Sequence, residues 1–169
     1  MFKRTLTFTL ASSFALGMTA FFAPRANAQS APAADVPFNG NVDVACDFDS
    51  GITQGTLAND DNPQVLSSTD AGGSAGSVDI TCNTVGATLA IAAPGAGSTP
   101  TGVTADSLSS EMDLTGDNTA TDIANGSSAT LNNMGTTTAT VDMTADFSTT
   151  YSEVPGGTYN YTVQLTLTP

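Results

Sequence analysis

The most oxygen-rich clusters in this chain are two short acidic runs. The first places Asp47 and Asp49 two residues apart, and the second places Asp113 and Asp117 on either side of a glycine. Closely spaced carboxylates are ligands that Ca²⁺ prefers, so these four residues are weak calcium candidates. Neither run completes an EF-hand, because the twelfth position counted from Asp47 or from Asp113 is alanine instead of glutamate. We therefore expect solvated turns that attract cations diffusely, with no dedicated metal site and no cofactor.

The chain lacks the residues that most catalytic sites need. It has no histidine, and its three basic residues, Lys3, Arg4 and Arg25, all precede position 26. The rest of the chain therefore cannot supply a Ser-His-Asp triad, a Schiff-base lysine or an arginine clamp. The two glutamates, Glu111 and Glu153, have no tryptophan platform for a sugar beside them, which disfavours a glycosidase. We therefore expect that the protein is not an enzyme. We also expect that it does not bind nucleic acid, because affinity for nucleic acid depends on cationic side chains.

The N-terminus has the pattern of a secretory signal peptide. The basic start is followed by a largely apolar run over residues 6–22 and by the small tripeptide Ala-Asn-Ala at 26–28. A membrane-spanning helix is the alternative, which the Thr, Ser and Gly within the run disfavour. We predict cleavage after Ala28. The mature chain then carries all 16 acidic residues and no basic one, and it is exported to the periplasm and onward to the cell surface or medium without inserting into the membrane.

Residues 29–35 are small or polar and predict a short flexible arm, and residues 36–169 predict one domain. Four stretches of this domain alternate apolar and polar residues, as half-buried strands do. Their inward faces hold Phe38, Gly40, Val42, Val44, Cys46 and Phe48; then Val78, Ile80 and Cys82, with Leu89 and Ile91 after a turn; then Ala139, Val141, Met143, Ala145 and Phe147; and finally Tyr159, Tyr161, Val163, Leu165 and Leu167. Weaker segments lie at 55–58, 65–67, 103–114 and 129–131. Many short strands separated by turns, with no helical period, predict an all-β sandwich.

Cys46 and Cys82 each fall on the apolar side of a predicted strand. An exported chain meets an oxidising compartment, where two thiols normally pair. We predict a Cys46–Cys82 disulfide, which stabilises the fold by about 4 kcal/mol on the chain-entropy account. Two free buried thiols are the alternative.

Three motifs carry a resemblance to a known family. They are Gly-Asn-Val-Asp-Val-Ala-Cys at 40–46, Gly-Ser-Val-Asp-Ile-Thr-Cys-Asn at 76–83, and Gly-Gly-Thr-Tyr-Asn-Tyr-Thr-Val-Gln-Leu-Thr-Leu-Thr at 156–168. With these motifs the chain, from about residue 36 to its end, resembles the spore coat protein U family, which includes the major pilins of archaic chaperone–usher fimbriae.

The resemblance implies an incomplete immunoglobulin-like β-sandwich that lacks its seventh strand. A periplasmic chaperone, and then the N-terminal donor strand of the next identical or related subunit, would fill the gap on the way through an outer-membrane usher. The implied role is a fimbrial or coat subunit that serves in adhesion or surface attachment. The implied acceptor groove maps onto Tyr159, Tyr161, Val163, Leu165 and Leu167, and the disulfide onto Cys46 and Cys82. An unpaired apolar edge on the closing strand agrees with this, since such edges are normally avoided or filled by another chain.

The chain departs from a polymerising subunit in the length of its N-terminal arm, because only residues 29–45 precede Cys46. Two hypotheses follow. Either residues 36–44 are the donor strand, with Val36, Phe38, Val42 and Val44 as its inserted side chains, and the first strand begins near Cys46. Or residues 36–48 are simply the first strand of a domain that caps an assembly or stands alone. A further alternative is that the closing strand is an interior strand of a complete sandwich. The chain is then a free-standing acidic secreted protein that binds a surface ligand or a divalent cation through loops in 93–133.

Overall fold

The structure, a computed structural model, describes residues 37–169. The predicted signal peptide, the predicted arm at 29–35 and Val36 lie outside the described residues. Strands and no helices occur within 37–169, which confirms the all-β prediction, and no helix that could cross a membrane is found there. The strands are β1 (Cys46–Phe48), β2 (Val65–Ser67), β3 (Gly76–Cys82), β4 (Ala87–Ile91), β5 (Gly95–Ser98), β6 (Ser107–Gly116), β7 (Ala120–Ala124), β8 (Ser128–Leu131), β9 (Gly135–Asp146), β10 (Asn160–Thr162) and β11 (Leu165–Thr168).

The first sheet is built around β9, the longest strand described. Its order is β1-β3-β9-β6-β7, β2 also pairs with β9, and all pairs are antiparallel. Ala139, Met143 and Ala145 of β9 point into the core, while threonines alternate with them on the other face. Ala139 lies opposite Val78 of β3 and Leu114 of β6, so the inward faces of three strands meet in register.

The second layer contains the last two strands of the chain. β11 pairs with β4, which pairs with β8, and β10 pairs with β5. The register places Leu165 opposite Ile91 and Tyr161 opposite Ala96, with a break in the ladder at 163–164. This last part of the chain, residues 157–168, is called the closing segment below. One of its edges runs antiparallel to residues 88–98.

The two layers share one apolar core, which makes the fold sandwich-like. The larger cluster of buried side chains combines Ile80, Met112 and Ala139 of the first sheet with Leu89 and Leu131 of the second, and none of these five is exposed. A smaller cluster surrounds the fully buried Phe147. Burial of these apolar surfaces is the main force that holds the layers together.

The predicted disulfide is confirmed. Cys46 and Cys82 lie directly opposite each other on β1 and β3, with their Cα atoms 4.1 Å apart and their sulfurs bonded. Both side chains are buried within the larger cluster. The bond therefore ties the short first strand to the first sheet.

The predicted strand that begins at Phe38 is wrong for residues 38–45, because β1 covers only Cys46–Phe48. Phe38, Val42 and Val44 are 92%, 83% and 66% exposed. Alternation produces a half-buried strand only where a neighbouring strand and a core lie beside it, and no strand of residues 37–169 pairs with this stretch. The inward faces predicted for β3, β4 and β9 are confirmed by their burial.

Candidate functional site

An open groove separates the last strands from residues 48–57 on the opposite layer. It has two adjoining lobes, with volumes of about 430 and 480 Å³. The first lobe is mainly apolar, and its apolar side chains are Phe48, Ile52, Val78, Val141, Met143, Tyr161, Val163 and Leu165. The apolar side chains of the second lobe are Leu57, Leu66, Met143, Tyr159 and Tyr161. The first lobe therefore offers an apolar floor beside the closing segment, and the second lobe mixes apolar and polar side chains.

The closing segment forms one wall of the groove because of its alternation. Tyr159, Tyr161 and Val163 are half-buried and line the groove, and the exposed Asn160 and Thr162 between them contribute to its rim. The predicted inward face is thus correct in direction. Leu165 also lines the first lobe. Leu167, the last residue of the predicted acceptor set, packs on the larger core cluster and is not among the lining residues.

The opposite wall is formed by residues 48–57, an irregular stretch that runs beside β3 without forming a continuous strand. Isolated antiparallel bridges join Thr53 to Ser77 and Thr56 to Ser74. The backbones approach so closely here that a Cβ atom added at Gly55 would lie 2.8 Å from the amide nitrogen of Gly76. Only glycine fits at that position, which sets how far this wall stands from β3.

The edge of the closing segment that faces away from β4 and β5 is not hydrogen-bonded to another strand among residues 37–169, although β1 comes close to β11. Within that range β10 pairs only with β5, and β11 lies at the end of the order β11-β4-β8. An unpaired strand edge presents backbone N–H and C=O groups that can pair with another chain. Here such an edge adjoins an apolar groove, and this is the combination that strand addition requires.

Two stacked tyrosines occupy the middle of the groove. The rings of Tyr159 and Tyr161 lie 6.5 Å apart and nearly parallel, and Tyr159 also meets Phe147 edge to face at 5.6 Å. The Tyr159 hydroxyl donates to the Pro155 carbonyl oxygen at 2.6 Å, but the buried Tyr161 hydroxyl has no hydrogen-bond partner. Burial raises the pKa of both phenols because it disfavours the phenolate.

The stretch that precedes β1 is held at a single point. Asn83 donates through Nδ2 to the Asp43 carbonyl oxygen at 2.8 Å and accepts from the Ala45 amide at 2.8 Å, and its own amide donates to the Ala45 carbonyl at 3.0 Å. Val44 lies between the two held residues. The exposed Val42 precedes them.

The four calcium candidates do not come together. Asp49 accepts a hydrogen bond from the Thr81 hydroxyl, Asp113 accepts from the amide of Asp122 at 2.8 Å, and Asp117 accepts from a backbone amide of β9. Asp47 is exposed on β1. Across residues 37–169, no group of three or more His, Cys, Asp and Glu side chains is arranged to hold a metal ion.

A carboxylate outside this set, that of Asp106, is held by hydrogen bonds just before β6. Asp106 accepts hydrogen bonds from the Thr150 hydroxyl and from the amides of Thr149 and Thr150. The Thr150 hydroxyl is the main cause that lowers the pKa of Asp106, and the amides of Thr150 and Thr149 add to it. The Ser148 side chain, and then the Ser148 amide that donates to Asp146 at 2.7 Å, likewise lower the pKa of Asp146. These contacts fix the turn after β9, and the groove does not include them.

Sequence reasoning missed one wall of the groove and its floor. Ile52 and Gln54 come from a stretch without clear alternation, Leu57 belongs to the weaker predicted segment 55–58, and Met143 was assigned only to the core of its strand. The one signal in the sequence was an apolar residue, Ile52, in an otherwise polar and glycine-containing stretch.

Comparison with known proteins gives no match: no family model, no curated protein and no solved structure is significantly similar to this chain.

Proposed function

We propose that this protein is an exported structural subunit of a surface fimbria or coat, and that it assembles by β-strand addition into the groove. The observation that carries the proposal is the unpaired edge of β10 and β11 beside an apolar groove lined by Tyr161, Val163 and Leu165. An inserted strand would hydrogen-bond to that edge and bury alternate side chains in the two lobes. The sandwich would then be an immunoglobulin-like fold completed by the added strand.

The donor strand that fits is the exposed stretch before β1, supplied by a second copy of the chain. The groove follows the closing segment over residues 157–165, a length of roughly 26 Å for extended chain. Residues 36–42 span roughly 20 Å when extended, so Val36, Phe38 and Val42 fall within that length. Phe38 and Val42 are almost fully exposed in the single chain, where their apolar surface finds no cover.

The position of Asn83 favours insertion into a neighbouring copy. Its side chain and backbone hold Asp43 and Ala45 beside the end of β3. Phe38 and Val42, which precede this attachment, are exposed and do not line the groove of their own chain. The donor segment therefore leaves its own fold at Asp43, with Val44 at the boundary between subunits.

The negative charge of the chain is compatible with this role and determines which interactions can hold the copies together. A mature chain with 16 carboxylates and no basic residue repels other copies, so main-chain hydrogen bonds and apolar burial must supply the cohesion. A periplasmic chaperone would cover the groove before assembly, and an outer-membrane usher would export the subunits to the surface, where the fibre serves in attachment. The role is structural and involves no catalysis.

The test compares unheated and boiled protein sheared from producing cells on SDS gels, because subunits locked by an inserted strand separate slowly. The proposal predicts a ladder that collapses on boiling to a single monomer band. Ile52→Asp places a charge on the rim of the groove at an exposed site and should abolish the ladder. Val85→Asp, at a 55% exposed site that does not line the groove, is the matched control and should keep it. A single monomer band in both lanes of the wild-type protein would leave the alternative of a complete, free-standing sandwich.

A further inference from the structure

The chain contains two Asn-Gly dipeptides, Asn39-Gly40 and Asn125-Gly126. In a free chain this dipeptide is chemically reactive, because the main-chain nitrogen of the glycine can attack the Cγ carbonyl of the asparagine before it. Glycine permits the attack because it has no Cβ atom to crowd the approach and because its backbone turns freely. Whether such a pair reacts therefore depends on how firmly the fold holds it.

The fold holds Asn125-Gly126 at both residues. The Asn125 Oδ1 atom accepts from the Ser110 amide at 3.1 Å, and the Asn125 amide donates to the Ser110 carbonyl oxygen at 2.9 Å. The Gly126 amide, which contains the attacking nitrogen, donates to the Ile91 carbonyl oxygen at 2.8 Å. The attack would have to break these hydrogen bonds, so this pair is protected.

Asn39-Gly40 lacks such restraints within the described part of the chain. Both residues are exposed and lie outside the strands, and neither forms a main-chain hydrogen bond with another described residue. A Cβ atom added at Gly40 would meet no described atom within 4 Å, so the space around this residue is open. The fold therefore leaves this reactive pair free.

We infer that Asn39 is a site of spontaneous modification, at which the Gly40 nitrogen converts the asparagine into isoaspartate and aspartate. The Gly40 nitrogen gives its proton to solvent and bonds to Cγ of Asn39. The Cγ–Nδ2 bond breaks, and the side-chain nitrogen takes a proton from solvent and leaves as ammonia. Water then adds to either carbonyl carbon of the resulting succinimide ring, and the bond from that carbon to the Gly40 nitrogen breaks. Opening at the main-chain carbonyl gives isoaspartate, and opening at the side-chain carbonyl gives aspartate.

The effect of this modification on assembly rests on the proposed function. Asn39 lies in the proposed donor strand, and isoaspartate lengthens the main chain by a carbon atom. A paired strand needs regularly spaced N–H and C=O groups, so isoaspartate shifts the groups on one side of it out of register. An inserted strand, in turn, holds the backbone extended and keeps the Gly40 nitrogen away from Cγ. Modification should therefore disable free subunits and spare assembled ones.

An endoproteinase that cuts before aspartate measures the site, because trypsin finds no basic residue after Arg25. After reduction of the disulfide it releases residues 35–42 and 122–141, whose masses and fragments report Asn39 and Asn125. It also cuts before an aspartate formed at position 39 and does not cut before isoaspartate, which separates the two products.

The first sample is the Ile52→Asp protein, which should stay unassembled and whose fold is checked by circular dichroism. In mildly alkaline buffer its Asn39 should convert as fast as in a synthetic peptide of residues 35–44, while Asn125 stays intact. Adding Gly40→Ala should slow the conversion severalfold, because the new Cβ atom crowds the attacking nitrogen. An Asn39 that outlasts the peptide, or an Asn125 that converts equally fast in the folded protein, would overturn the inference.

The second sample is wild-type protein that forms the heat-sensitive ladder, in which Asn39 should stay intact over the same time. Conversion there as fast as in Ile52→Asp would overturn the protection by strand addition. If the wild-type protein forms no ladder, the proposed function fails, and Asn39 should then convert equally in both proteins. The modification site is thus tested whether or not the subunits assemble.

Discussion

The side chain of Asn83 holds the backbone of Asp43, with Nδ2 2.8 Å from the carbonyl oxygen, 40 residues away in sequence. The same amide group accepts from Ala45 and so fixes the chain just before the disulfide at Cys46. Downstream of this point the chain belongs to its own sandwich. Upstream of it the apolar side chains are exposed.

Asn83→Ala should lower the free energy of unfolding by about 1 kcal/mol, because two hydrogen bonds at an exposed site are lost. Thermal unfolding followed by circular dichroism should show a Tm decrease of a few degrees. Asn132→Ala is the matched control, since that exposed side chain makes only a long 3.4 Å contact to a carbonyl two residues away. Equal Tm values for the two variants would contradict a role for Asn83 in holding residues 43–45.

Removing the charge of Asp106 should weaken the fold in a pH-dependent way. The pKa of Asp106 is lowered from its usual 3.8 by bonds from Thr150 and Thr149, so its contribution is present above the unfolded pKa and is lost as pH falls through the folded pKa. The stability difference between wild type and Asp106→Asn should therefore be constant near neutral pH and shrink below about pH 4. Urea unfolding at several pH values measures it. A difference that grows on acidification would show that Asp106 has a raised pKa instead.

The two groove tyrosines should respond differently to loss of their hydroxyls. Tyr159→Phe breaks the 2.6 Å bond to the Pro155 carbonyl and should cost about 1 kcal/mol. Tyr161→Phe removes a buried hydroxyl that has no partner, so stability should stay within about 0.5 kcal/mol or rise. Chemical unfolding of the two variants in parallel measures both values. A larger loss in Tyr161→Phe than in Tyr159→Phe would mean that the Tyr161 hydroxyl has a partner.

Gly55→Ala should destabilise the wall of the groove by about 1–3 kcal/mol, because its Cβ would lie 2.8 Å from the Gly76 nitrogen and 2.9 Å from the Ser74 oxygen. Gly51→Ala meets open space and should change stability by less than about 0.5 kcal/mol. Urea unfolding compares the pair. If Gly55→Ala is as stable as wild type, the wall can move away from β3, and the width of the groove is not fixed by that glycine.

Much of the fold was predictable where one strand lies between two neighbours. The inward residues of β3 and β9, such as Ile80 and Ala139, follow directly from the period of two because both faces of those strands have a fixed environment. The same rule failed for residues 38–45. The alternation of these residues is typical of a half-buried strand. Among the described residues of the single chain, however, no strand pairs with them.

The groove was only half predictable for the same reason. Tyr161 and Val163 alternate with polar residues and could be assigned to an apolar face, but Ile52 and Gln54 lie in a stretch without periodicity. Their place opposite the closing segment depends on the isolated bridges to β3 and on the close approach of Gly55 to Gly76. Such contacts join residues about 20 positions apart and leave no local pattern.

By itself the sequence determined the all-β class, the faces of the main strands, the Cys46–Cys82 pairing and the absence of cationic side chains after Arg25, because these depend on composition and on a period of two. Only the tertiary structure decided that the last strands have an unpaired edge beside a groove, that Asn83 fixes the chain at Asp43, and that Tyr161 lines both lobes of the groove. Those features arise where segments distant in the sequence meet, and side-chain periodicity carries no information about which segments will be neighbours.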